Sequence, residues 1–113
     1  MKKEKYMEIL KSDYEDWKVK KLKEGGYFTI FNDFKRKGLK EISGPSLKLY
    51  IYLGIHSGNY TGESWHSVST IAKFFEVSER TIHNRLKELE ELGLIKRVKG
   101  APMEVTRTYL LPY

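Results

Sequence analysis

Hydrophobic residues recur at helical spacing at the start of the chain. Between Lys3 and Glu24 they stand among charged side chains at mostly helical spacing, and Gly25-Gly26 then supplies a helix stop. The pattern predicts an N-terminal helix whose apolar stripe is covered either by the rest of its own chain or by a partner, as in dimerisation. The stripe consists of Tyr6, Ile9, Leu10, Trp17 and Leu22.

Two short segments follow this helix. Tyr27–Phe31 is a run of aromatic and β-branched residues, which predicts a strand. Asn32–Lys40 is basic, with four cations at Lys35, Arg36, Lys37 and Lys40. A solvated loop or short helix is the simplest interpretation of this second segment, and a contact with a DNA backbone is the alternative.

A second helix is expected after Ser43. A serine followed by Gly44-Pro45 is typical of a helix start, because the hydroxyl caps free N–H groups and proline has none to satisfy. The helix ends at His56–Asn59, and Trp65 is expected to return to the core after a turn-rich loop. The predicted buried stripe is Leu47, Tyr50, Ile51 and Leu53.

Two more helices follow, separated by a tight turn. Ser67 is the predicted cap of a helix over Val68–Phe75, and Ser78 caps the next, from Glu79 to about Leu92, where Gly93 stops it. The turn between them has only three residues, Glu76–Ser78. This spacing is that of a helix-turn-helix unit.

The remainder alternates as strands do. Leu94–Val98 predicts one strand and Lys99–Pro102 a loop. The second strand carries Met103, Val105, Tyr109 and Leu111. The expected fold class is therefore α+β, mainly α: a winged helix-turn-helix with a three-helix core, a β-hairpin wing and an N-terminal helical extension. Residues 1–26 form the extension and residues 27–113 the DNA-binding domain.

Composition narrows the function. Lys and Arg number 21 against 15 Asp and Glu, so the net charge of +6 favours an anionic partner. There is no cysteine, no apolar run of about 18 residues and no apolar stretch after the charged N-terminus. The three histidines have no metal-site spacing. We expect a cytoplasmic protein that is not an enzyme, needs no cofactor and does not bind a membrane.

The third helix of the core identifies a reading face. Projected at 100° per residue, Ile82, Leu86 and Leu89 form the inward stripe, and the opposite face collects basic and amide side chains. Such side chains can pair with guanine and adenine in a major groove. Hydroxyls before the turn and cations on the wing suit phosphates. The predicted DNA-binding residues are Ser69, Thr70, Ser78, Arg80, Thr81, His83, Asn84, Lys87, Lys96, Arg97, Lys99 and Arg107.

Three motifs carry a resemblance over residues 42–111. They are Gly-x-Ser-Trp at 62–65, Ser-x-Arg-Thr at 78–81 and Leu-x-x-Leu-x-x-Leu-Gly-Leu-Ile at 86–95. This stretch resembles the winged helix-turn-helix domains of plasmid and phage replication initiators and related small bacterial regulators. The resemblance implies binding to a repeated or palindromic DNA site, often as a dimer. Two departures are His66, where such domains often have proline, and the short length.

The short length favours a stand-alone regulator of transcription or replication, encoded by a plasmid, phage or other mobile element, over a full initiator. Its partner would be double-stranded DNA, with a homodimer formed through the N-terminal helix. The alternative is a winged-helix adaptor that binds proteins in a replication or conjugation complex. Arg80, Asn84 and Lys87 count against the adaptor, and the aromatic N-terminal helix counts for it.

Overall fold

A computed structural model describes residues 2–58, 60–100 and 106–113. The four α-helices are α1 (Lys3–Glu24), α2 (Gly44–Ile55), α3 (Val68–Phe75) and α4 (Glu79–Glu91). A π-helical turn covers Lys35–Leu39. The strands are β1 (Glu63–Ser64), β2 (Ile95–Val98) and β3 (Arg107–Leu110). The arrangement is mainly helical with one small antiparallel sheet, as the sequence predicted.

Each core helix begins at the serine that the sequence indicated. In α2, α3 and α4 the Oγ of the capping serine accepts a hydrogen bond from the N–H three residues on, at 3.1–3.3 Å. These bonds satisfy N–H groups that have no partner within the helix, so each cap fixes the point where its helix starts. The three caps are Ser43, Ser67 and Ser78.

The core lies between α2, α3 and α4 and closes against β2. The inward stripe of α4 is confirmed, since Ile82, Leu86 and Leu89 are all buried. The prediction for α2 was partly wrong: Ile51 is exposed, whereas Leu49 is fully buried. The reason is that α2 packs against α4 and β3 with a side centred on Leu49 and Leu53, and at 100° per residue Ile51 lies on the opposite side.

The prediction for Trp65 was also wrong, because its side chain is 56% exposed. The residue directly follows β1, where the neighbouring Ser64 takes the buried position. Since successive side chains of an extended backbone point to opposite sides, the large indole is left on the outer side.

The wing is a three-stranded antiparallel sheet in the order β1-β3-β2. The hairpin of β2 and β3 was predicted, and Arg97 pairs with Thr108 in its register. The short strand β1 was not predicted; it adds to the other edge of β3, with Ser64 opposite Thr108. Met103 and Val105, placed on the second strand from the sequence, lie outside the described residues.

Tyr27–Phe31 is not a strand, which corrects the sequence prediction. The segment has no regular secondary structure and pairs with no described strand, and its aromatic residues hold it in place instead. Phe28 packs edge-on against Tyr50, and the N–H of Phe31 donates to the Oη of Tyr113 at 2.8 Å. Aromatic and β-branched residues favour strands only where a neighbouring strand is available, and here none adjoins them.

Helix α1 stands apart from this core. Every one of its residues is exposed, so the interpretation that its stripe packs back onto the same chain is wrong. At about 1.5 Å per residue, a helix of 22 residues is roughly 33 Å long. Among the described residues, no helix is both long and apolar enough to cross a membrane.

Candidate nucleic-acid interface

The outward face of α4 carries the predicted reading residues. Arg80, His83, Asn84 and Lys87 are all exposed, and the buried stripe on the opposite side fixes how the helix is rotated. Their side chains therefore lie on one continuous polar face over the first two and a half turns. Each of them presents groups that can meet base edges without displacing core residues.

Two further predicted residues, Ser78 and Thr81, also stabilise the start of α4. The Oγ of Ser78 lies 2.8 Å from the Oγ1 of Thr81 and also accepts the Thr81 N–H. Thr81 is half-buried for this reason. The structure thus uses both hydroxyls to start α4, which leaves fewer of their hydrogen-bonding positions free for a ligand.

The start of α3 presents a second polar group beside the turn. Ser69 and Thr70 are exposed in the first turn of the helix. The Oγ1 of Thr70 lies 2.9 Å from the Oγ of Ser67, which repeats the arrangement at the start of α4. The turn that joins the two helices places Glu76 in the left-handed region at φ 55°. N–H groups at such a helix start favour anions.

The wing holds four predicted cations in unequal settings. Lys96 and Lys99 are exposed. Arg107 lies 3.4 Å from the carboxylate of Glu63, so part of its charge is neutralised. Burial lowers the pKa of Arg97, partly offset by the nearby Glu90, and the group remains charged at neutral pH. The two lysines are therefore the freest cations of the described wing.

Sequence reasoning missed the link between α4 and α2. The Oε2 of Glu88 accepts hydrogen bonds from the N–H of Ser43 at 3.0 Å and from its Oγ at 2.9 Å. These bonds lower the pKa of the Glu88 carboxyl, and the Ser43 N–H is the largest cause. No local signal could have shown this contact, because the partners are 45 positions apart.

The N-terminus of α2 consequently adjoins the reading face. A shallow depression of about 300 Å³ lies between the two helices, next to Asn84. Its walls are formed by Ser43, Pro45, Ser46, Thr81, Arg85 and Glu88. Any duplex seated against α4 would therefore pass close to the chain that leads into α2.

The charges of α4 are sorted along its length. The helix holds three basic and four acidic residues, of which three acidic ones come in its last four positions. The first half of the helix is thus the end that an anionic partner can approach. Glu79 is the exception, and its place in the first turn suits the helix dipole.

An aromatic and histidine cluster lies away from α4, at the end of α2. The rings of His56 and His66 are 4.5 Å apart, and both contact Tyr52. Burial and the neighbouring His56 lower the pKa of His66. Within the described part of the chain, no three histidine or acidic residues are grouped as a metal ion would require.

Comparison with known proteins gives one match. Residues 40–95 match a family model described as a helix-turn-helix domain, a range that includes α2, α3 and α4. No curated protein and no solved structure matches the chain. The special likeness to replication initiators is therefore not shown. The matched helices, together with the three-stranded sheet, are those of a winged helix-turn-helix domain.

Proposed function

We propose that this protein binds double-stranded DNA in a sequence-specific manner and regulates transcription or replication. The observation that carries the proposal is the exposed polar face of α4, where Arg80 and Asn84 stand opposite the buried stripe. In a helix-turn-helix unit this helix enters the major groove with its N-terminal half. Arginine pairs there with guanine and asparagine with adenine, each giving about 1–3 kcal/mol of discrimination.

The supporting contacts are phosphate contacts. Ser69 and Thr70 can donate to one backbone beside α4, and Lys96 and Lys99 can meet the other from the wing. The acidic end of α4 points away from the groove in this orientation, which avoids repulsion by phosphates. Binding of this kind acts passively, because an occupied operator or origin excludes polymerase or initiator.

The test is selection of bound sequences from a random duplex pool, followed by titration of the selected site. Arg80→Ala should weaken the selected site by about 10-fold or more and relax the preference at one base pair. Arg85→Ala is the matched control for base reading: Arg85 lies on the flank of α4, half-buried beside α2, so its loss should leave the preference at that base pair unchanged. Equal affinity of the unaltered protein for selected and random duplexes would refute sequence-specific reading.

The setting on a plasmid, phage or other mobile element rests on the resemblance of residues 42–111 to initiator and regulator domains. A consensus from the pool that recurs as repeats or a palindrome beside a replication origin or promoter supports it. The competing function is a protein adaptor, which the exposed aromatic residues of α1 favour. Failure to enrich any duplex, together with retained binding of a replication protein, would favour the adaptor.

We also propose that two copies associate through α1. Met7, Leu10, Tyr14 and Trp17 follow one another at spacings of three, four and three residues, which is the spacing of a coiled-coil seam. Projected at 100° per residue, they lie within about 80° of one another. Each is about half exposed, so the described residues of the chain leave much of this apolar face uncovered.

The charges beside the seam favour a parallel pair. In a parallel coiled coil, Asp13 of one chain faces the residue five positions later in the partner, which is Lys18. Because the pair is symmetric, this attraction between opposite charges occurs twice. An antiparallel pair that matches Met7 with Trp17 would instead set Asp13 against Asp13. The seam ends at Lys21, whose long side chain can reach solvent.

Sedimentation equilibrium tests the association. Trp17→Lys should convert a dimer to a monomer, whereas Val19→Lys, an equally exposed position on the opposite side of α1, should leave the dimer intact. The chain has no cysteine, so Lys3→Cys in the seam should cross-link two chains only if they are parallel. A monomer at micromolar concentrations, or a dimer that Trp17→Lys leaves intact, would refute the proposal.

A further inference from the structure

Lys35–Lys40, which we call the basic segment, has one buried residue and an exposed side that carries its four cations together with Leu39. The side facing the core holds Gly38, and the flanking Phe34 and Ile42 are buried as well. All four cations of the segment are exposed. In the described part of the chain none of these cations forms an ion pair. The four cations are Lys35, Arg36, Lys37 and Lys40.

Packing contacts hold the backbone of the segment in place. Phe34 stacks on Tyr50 with ring centroids 5.3 Å apart and also contacts Tyr113. A Cβ added to Gly38 would lie 3.3 Å from the side chain of Leu94, so this turn lies directly against the residue before β2. The cations are therefore carried on an anchored surface rather than on a free tail.

The chain that leads from the basic segment into α2 is bonded to α4. Three residues beyond Lys40, Ser43 is hydrogen-bonded to Glu88, and the depression between α2 and α4 extends from there to Asn84. The segment thus joins the flank of the reading helix through α2.

The distribution of charge over the domain indicates a role for the basic segment. Helix α4 carries one more acidic than basic residue. On the wing, Arg107 is paired with Glu63 and Arg97 is partly buried. Affinity for duplex DNA comes largely from neutralised phosphates and the counterions they release. The residues that read bases supply little of this charge, whereas the basic segment supplies four cations against Asp33 and Glu41 at its borders.

We propose that the basic segment is a second DNA-contact surface, which binds backbone phosphates flanking the groove that α4 enters. The proposal rests on the proposed function and adds to it a source of affinity that is independent of sequence. Bases are read by α4, and the segment holds the backbone beside them. An acidic protein is a less fitting partner, because the chain that follows the segment is bonded to the helix that faces the groove.

The test measures the salt dependence of DNA affinity for the triple variant Lys35→Gln, Arg36→Gln, Lys37→Gln. Each phosphate contact contributes about 0.9 to the slope of log K against log salt concentration, so the slope should become shallower by about 2–3. Affinity for selected and random duplexes should fall by the same factor. The ratio of the two affinities should therefore stay unchanged.

The matched control changes net charge equally at another place: Lys2→Gln, Lys5→Gln, Lys23→Gln on or beside α1, away from its apolar seam. This control should keep a nearly unaltered slope. Lys35→Arg with Lys37→Arg should keep it too, because the charge remains. Circular dichroism should show a native fold for all three proteins, since every altered side chain is exposed.

Two results overturn the inference and differ in meaning. If the segment variant and the α1 control both keep the slope of the unaltered protein while Arg80→Ala still relaxes the preference at one base pair, the segment is not a contact and the proposed function stands. If the unaltered protein binds no duplex even at low salt, the proposed function fails, and the inference fails with it.

Discussion

Replacing Glu88 by glutamine removes the charge from the link between α4 and the N-terminus of α2. One carboxylate oxygen holds both the N–H and the Oγ of Ser43, at 3.0 and 2.9 Å. Hydrogen bonds to a charged group contribute about 1.5–3 kcal/mol. Glu88 is partly exposed, so water replaces part of the lost stabilisation. The amide oxygen of the glutamine also still accepts one hydrogen bond. We expect the free energy of unfolding at pH 7 to fall by about 1 kcal/mol.

The pH dependence has a definite sign. The bonds from Ser43 lower the pKa of Glu88 in the folded chain. Stabilisation by the carboxylate is therefore fully present above the unfolded pKa of about 4.3 and is lost as the pH falls through the lower folded value. The unaltered protein and Glu88→Gln should differ at pH 7 and converge in acid, where the carboxyl is protonated.

Urea unfolding followed by circular dichroism measures this difference. With a slope of about 2 kcal/mol per molar urea, a loss of about 1 kcal/mol lowers the midpoint by about 0.5 M. Glu91→Gln makes the same charge change at an exposed position of the same last turn and should leave the midpoint nearly unchanged. Equal midpoints for both variants at pH 7 would refute the reasoning, as would a difference that persists in acid.

Three further predictions concern packing and capping, each checked by urea or thermal unfolding. Gly54→Ala should destabilise by about 1–3 kcal/mol, because its Cβ would collide with the ring of Phe28; a stability equal to the parent's would contradict that contact. Leu89→Ala should cost about 2–5 kcal/mol, since Leu89 is fully buried, and a loss below 1 kcal/mol would contradict its place in the core. Ser78→Ala removes the cap bond to Thr81 and should cost about 1 kcal/mol, with Ser78→Thr retaining most of it.

The sequence predicts what depends on neighbours along the chain. The caps at Ser43, Ser67 and Ser78 are signals of this kind, since each hydroxyl accepts from an N–H only three residues away. The rotation of α4 is another, because a stripe at helical spacing has one way to face a core. These local signals predicted the three core helices, the short turn between α3 and α4, and the exposed polar face of α4.

Distant contacts decided the remainder. Tyr27–Phe31 has strand composition, yet the C-terminal Tyr113 occupies the Phe31 N–H with its hydroxyl, 82 positions away. Trp65 was expected in the core because of its size, but the alternation set by β1 turns it outward. Glu88 was interpreted only as one of several acidic residues at a helix end. None of these outcomes has a counterpart in the local pattern.

The order of strands in the sheet limits the order in which the parts of the domain can fold. β3 is the central strand, and β1 and β2 each pair with it but not with each other. Neither outer strand has a partner until β3 has been synthesised, whereas the caps and the inward stripes of α2, α3 and α4 are complete earlier. Tyr113, which follows β3, also packs against Phe34 beside the basic segment. We therefore expect a nascent chain to form its reading helix first, and to fix the wing and the basic segment together in a last, cooperative step.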